Sequence, residues 1–160
     1  MRAIQLVALA AGLLLAIQVR TGLADDASDD ARVFQLLDQS AYHYTKKSDS
    51  VWYIDYNGGT LGNYRVVGAA GQGLLVIFVT IAPKAALGDM AEITYKMVRL
   101  NDDLDRVKVG IDRDGDAFVR ADVSIRALDG VELKAYVDQV AASAEEAYAA
   151  IKPYLVAPAG

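Results

Sequence analysis

Apolar residues first recur at helical spacing after position 30, where Phe34, Leu37, Ala41 and Tyr44 step by three and four. Lys46-Lys47 follow, where cations complement the negative end of a helix. The period then changes. Residues 51–56 are β-branched and aromatic and predict a strand, ended by Asn57-Gly58-Gly59, which tolerate the positive φ of a turn. A second strand over 64–69 and a turn over 70–73 come next. Residues 74–81 are too few to span a bilayer and too continuously apolar for a half-exposed strand, so they predict the central strand.

Pro83 can open a helix, and Met90, Ile93, Met97, Leu100 and Leu104 mark one face of a second amphipathic helix. Residues 106–112 alternate, with Val107, Val109 and Ile111 on one side. After the turn signal Asp114-Gly115, residues 117–125 alternate again, which predicts a hairpin. Asp129 is placed to cap a last helix with Glu132 three residues on, Leu133, Val137, Val140, Ala144, Ala147 and Ile151 form its buried stripe, and Pro153 ends it. The order is α-β-β-β-α-β-β-α. It predicts an α+β fold, a mostly antiparallel sheet with helices packed on one face, in a single domain over 31–160.

The N-terminus reads as an address. Met1-Arg2 is followed by residues 3–17 with one polar member, Gln5, and Gly22-Leu23-Ala24 places small residues at −3 and −1. We expect a signal peptide over 1–24 with cleavage before Asp25, an acidic solvated linker over 25–30, and a periplasmic or secreted protein with no stable membrane insertion after cleavage. The whole chain has 16 basic and 21 acidic residues. Removing Arg2 and Arg20 leaves 14 against 21, a net charge of −7, which argues against nucleic acid as a partner. The absence of cysteine excludes disulfides, thiolate metal sites and a Cys nucleophile. A single histidine, His43, excludes sites that need two imidazoles from one chain.

The remaining motifs favour structure over chemistry. Asp112-Arg113-Asp114-Gly115-Asp116 matches the first ligands of a calcium loop, but Ala117 stands where its glycine belongs and Val123 where its bidentate Glu belongs, so a β-turn is expected. The glycines of 58–62 and 68–73 lack the Gly-Lys-Ser/Thr ending of a phosphate loop and lead into strands. His43, read as helical, has no nucleophile elbow beside it, and Glu145-Glu146 read as a solvated helix face. We therefore expect no catalytic residue, no cofactor and no metal. Trp52, Tyr53, Tyr56 and Tyr64 put four aromatics on the first two strands. They are the candidate partner-binding residues, with core packing as the alternative for the face that Trp52 and Tyr56 share.

Leu100-Asn101 near the end of the second helix, the run from Val107 to Asp116, the strand Ala117-Phe118-Val119-Arg120-Ala121-Asp122 and the long helix from Val131 resemble the YbjN family, whose fold is similar to that of type III secretion chaperones. The resemblance spans roughly residues 51–155. It implies a protein-interaction module, sometimes described as a sensory transduction regulator, that is not an enzyme and carries no catalytic residues to transfer; it also implies an unidentified protein partner and a homodimer. An exported N-terminus departs from the cytoplasmic chaperones and leaves a chaperone-like or regulatory role in the envelope. The alternative is a small-ligand or lipid carrier with an apolar cleft between sheet and helices. An enzyme using Asp112, Asp114 and Asp116 is the weakest reading.

Overall fold

A computed structural model describes residues 28–156. The expected signal peptide and residues 25–27 of the expected linker lie outside the described residues, while Ser28, Asp29 and Asp30 already belong to the first helix, α1, which runs to residue 38. Ala41, His43 and Tyr44 are not part of it. The Ser40 hydroxyl donates to the Leu37 carbonyl (2.6 Å) and accepts the Tyr42 N–H (3.3 Å), and the Tyr44 hydroxyl donates back to Asp38 (2.6 Å). Such side-chain bonds compete with the helix ladder. The spacing of Phe34 and Tyr44 reflects a ring contact across this bend, with centroids 6.0 Å apart, rather than one helical face.

Beyond the bend come β1 (Thr45–Lys46), β2 (Val51–Asn57), β3 (Asn63–Gly71), β4 (Leu74–Ala82), α2 (Met90–Asp103), β5 (Lys108–Ile111), β6 (Ala117–Ser124) and α3 (Gly130–Ile151). The fold is α+β, as the pattern predicts, with one short strand more. Six strands lie in the order β1-β2-β3-β4-β6-β5, each antiparallel to its neighbours. β4 is interior, as its unbroken apolar run required. β3 extends to Gly71, past the expected turn at Ala70. The turn proper is Gln72-Gly73, with φ of 53° and 75°, the left-handed pair that a two-residue hairpin loop needs. Pro83 precedes only a short 3-10 turn. α2 is capped by Asp89, whose carboxylate accepts the N–H groups of Ala91 (3.1 Å) and Glu92 (3.2 Å).

The helices cover one face of the sheet. α3 packs on β4 and β6, and α2 on α3 and β5. All six residues of the expected α3 stripe are fully buried. Asp129 caps α3 by accepting the Glu132 N–H (2.8 Å). The reciprocal half of the capping box is not made, because the Glu132 carboxylate pairs with Arg106 instead (3.1 Å). On the covered side of the sheet the register lines up Trp52, Gly68, Ile77 and Ala121, with Ile54, Val66, Leu75, Val79, Val119 and Val123 around them.

Candidate functional site

The four candidate aromatics do not form one site. Strand alternation sends Trp52 into the core, fully buried beneath the helices, so it meets no partner in the folded protein. Tyr56 and Tyr64 share Trp52's side of the sheet. Their rings stack at 5.4 Å with an interplanar angle of 15°, half-buried where the β2–β3 hairpin meets α3. Tyr64 donates to the Ala141 carbonyl (3.3 Å). Only Tyr53 points to the opposite face, where the Arg65 guanidinium lies 4.2 Å from its ring centroid.

Tyr42 completes the cluster on the covered side. Its hydroxyl donates to Asp138, which also accepts from Lys134 (2.5 Å), so α3 holds the chain leaving α1. Burial first, and the Asp138 bond second, push Tyr42 above its ordinary value of 10.0. Burial also raises Tyr64, to about 12, with the Glu145 charge adding to it. Tyr56 is raised by burial, with the Asp138 charge adding to it and the neighbouring Tyr42 hydroxyl and Lys134 partly offsetting it. For Asp138 burial works upward, but Lys134 and Tyr42 outweigh it and the carboxyl is lowered. The tyrosines are raised relative to the unfolded chain, so the stability they contribute is complete below pH 10 and is lost as pH rises through the folded values. We expect the tyrosinate absorbance of Tyr42, Tyr56 and Tyr64 to appear in a cooperative step together with loss of far-UV circular dichroism. A gradual titration of every tyrosine near pH 10, with the dichroism intact, would contradict these placements.

Glu145 is not the solvated residue its neighbour Glu146 is. Its Oε2 accepts the N–H groups of Thr60 (2.7 Å) and Leu61 (3.2 Å), and so fastens the glycine-rich β2–β3 loop to α3. Nothing in the sequence signalled this, since the contact spans 84 and 85 positions. Of the three aspartates of 112–116, the carboxylates of Asp112 and Asp116 are likewise committed to backbone. Asp112 Oδ1 accepts from Asp114, Gly115 and Asp116 N–H (2.9 Å each), and Asp116 accepts the Lys84 N–H (2.8 Å). No group of three or more metal-ligating side chains occurs among the described residues. His43 is exposed in the bend before β1, not on a helix.

The helix-free side of the sheet has the anatomy of a contact surface. Val51 and Tyr53 of β2, Val67 and Ala69 of β3, Val76 and Phe78 of β4 and Phe118 of β6 alternate onto it, all half-buried, and Leu74 is exposed at one end. One row runs straight across the strands as Tyr53, Val67, Phe78, Arg120 and Lys108. Charges sit at its flanks and pair with one another. Arg65 pairs with Asp55 (2.6 Å) on one side, while Arg120 (3.0 Å) and Lys108 share Asp122 on the other. Beside these flanks lie two open recesses of ≈600 and ≈580 Å³, one lined by Asp55, Asn63 and Arg65 among others and the other by Phe118 and Arg120 among others. No helix or loop of the described residues covers this face. Among those residues, also, no helix is long and apolar enough to cross a membrane.

The six-stranded antiparallel sheet with its three helices is similar in fold to chains of two solved complexes. A chain of the ExoU–SpcU complex from the type III secretion system of Pseudomonas aeruginosa superposes with a TM-score of 0.52 at 16% identity, covering 76% of this chain and 95% of that one. A chain of the ExsC–ExsE complex superposes with a TM-score of 0.57 at 11% identity, covering 78% and 93%. No curated protein matches the sequence. Residues 29–153 match the YbjN family, described as "Putative bacterial sensory transduction regulator", and the chain belongs to that family.

Proposed function

We propose that this chain is an exported, non-enzymatic interaction module that binds a polypeptide on the helix-free face of its sheet. The observation that carries the reading is that face, an apolar centre rimmed by mutually paired charges, as interfaces are. It holds three basic and two acidic side chains, Arg65, Arg120 and Lys108 against Asp55 and Asp122, on a chain whose net charge is −5. The family description and the protein complexes in which its fold occurs support binding over catalysis. The carboxylates that could have served a reaction support the same reading, since Asp112, Asp116 and Glu145 are spent on backbone amides. The carrier reading is weaker, because the layer between sheet and helices is filled by Trp52, Leu75, Ile77, Val79, Val140 and Ala144, all fully buried.

Replacing Val67, on the face, or Tyr95, exposed on the outer side of α2, by a photoreactive residue tests the proposal in cells that produce the whole chain. Position 67 is expected to cross-link to a polypeptide, and Phe78→Glu to abolish that product. A cross-link to a second copy makes the chain its own partner on this face. Cross-links from position 95 alone, or from neither, overturn the reading. The mass of the recovered protein tests export, which predicts loss of residues 1–24 and fails if they are retained.

A further inference from the structure

The helix-free face carries a trough along β3. Alternation sets Val67, Ala69 and Gly71 on that face, and the register flanks them with Tyr53 and Val51 of β2 on one side and Phe78, Val76 and Leu74 of β4 on the other. Side chains shrink along β3 from Val67 to Ala69 to Gly71 while their neighbours stay large, so the trough deepens toward the Gln72-Gly73 turn. The described chain begins at that end of the sheet. Asp29 lies against the turn, its carboxylate 3.7 Å from where a Cβ on Gly73 would stand, and the Arg32 guanidinium donates to the Leu128 carbonyl (2.8 Å). These contacts, with Val33 and Leu37 fully buried, fix the start of α1 beside the mouth of the trough.

We propose that residues 3–17 are the first occupant of this face: in the uncleaved chain they lie along β3, and loss of residues 1–24 opens the face to its polypeptide partner. The inference rests on the binding face proposed above and adds its regulation. Residues 3–17 hold one polar member, Gln5, and gain most by leaving water for an uncovered apolar surface. The dimensions agree. Six residue steps from Gly71 to Arg65 span about 20 Å of strand, and fifteen residues in helical form span about 22 Å. Residues 18–27 reach up to about 33 Å, enough to pass round the turn beside Asp29. A run laid outward from the turn brings Arg2 to the end of β2 that carries Asp55, an exposed carboxylate. A short tether holds its segment at an effective concentration in about the millimolar range, so a free partner of similar affinity and far lower concentration is excluded.

Cell-free synthesis without membranes gives the whole chain with residues 1–24 in place. A photoreactive residue at position 67 should then cross-link to residues 3–17 of the same chain, giving an internally linked product of monomer mass whose joined peptides mass spectrometry identifies. The same residue at position 95, on the outer side of α2, should give no such link. Leu14→Asp, which alters none of the described residues, should abolish the link, and so should Phe78→Glu on the face itself. No internal link from position 67 overturns the proposal. Equal links from both positions, a product of dimer mass, or a link that survives Leu14→Asp overturns it as well. In cells, Ala24→Phe puts a bulky side chain at −1 and should retain residues 1–24; the partner product from position 67 should then be lost, and a partner product undiminished in that variant overturns the proposal. The internal link is read with no partner present, so its absence strikes this inference alone. An internal link without any partner product from the processed chain strikes the proposed function instead.

Discussion

Gly68→Ala is expected to destabilise the fold severely although it adds a single carbon. Gly68 lies opposite Trp52 in the β2–β3 register, and a Cβ there would sit 2.1 Å from Cε2 and 2.2 Å from Cζ2 of the indole. The indole is fully buried and has no room to retreat. Overpacking of this kind costs about 1–3 kcal/mol and sometimes more. Trp52→Ala removes the large partner instead and should cost about 3–5 kcal/mol through lost burial and the cavity left behind. The two changes are coupled, since the methyl at 68 has space once the indole is gone. The double variant should therefore be more stable than the sum of the single losses implies, by about 0.5–3 kcal/mol. Urea unfolding of the four proteins checks this, and strict additivity would mean that the indole does not lie across Gly68.

That contact shows what the sequence displays and what it hides. Periodicity marks which face of an element is buried, and it does so for the α3 stripe, for Ile93, Met97 and Leu100 of α2, and for Val109 and Val119 of the β5–β6 hairpin. The same alternation separates Trp52 and Tyr56 from Tyr53, so the split of the candidate aromatics was legible once strand β2 was placed. Partners across the sheet are not encoded locally. Gly68 looks like one more strand residue until Trp52 is laid over it, and Glu145 looks solvated until the β2–β3 loop arrives. Asn101 looks like one more polar residue near a helix end until β5 returns beside it. β1 was invisible because two exposed residues carry no pattern; they are a strand only because β2 offers them an edge. The expected helix through Tyr44 failed for the opposite reason. Its spacing was real, but bonds from Ser40 and Tyr44 fold the chain back at residue 38.

Ile77 and Phe78 are neighbours in the central strand, and the same truncation at each should separate stability from binding. Ile77 is fully buried on the covered side, between Gly68 and Ala121 in the register and under the helix layer. Ile77→Ala should cost about 2–5 kcal/mol, because the close-packed layer collapses only partly around the missing atoms. Phe78 points to the other face, between Val67 and Arg120, and is only half-buried with nothing from the described residues above it. Its truncation forfeits contacts on one side alone and should cost about 1 kcal/mol, below the usual loss for a core aromatic. Binding should rank the two in reverse. A partner seated on the open face meets Phe78 at the centre of its contact, where aromatic anchors carry most of the energy, and never meets Ile77. Phe78→Ala should therefore lose the cross-link from position 67 while unfolding close to the unaltered protein. Ile77→Ala should keep the cross-link under conditions where it is still folded. If Ile77→Ala proves the milder change in stability, or if Phe78→Ala leaves the cross-link untouched, the division of the sheet into a structural face and a binding face is wrong.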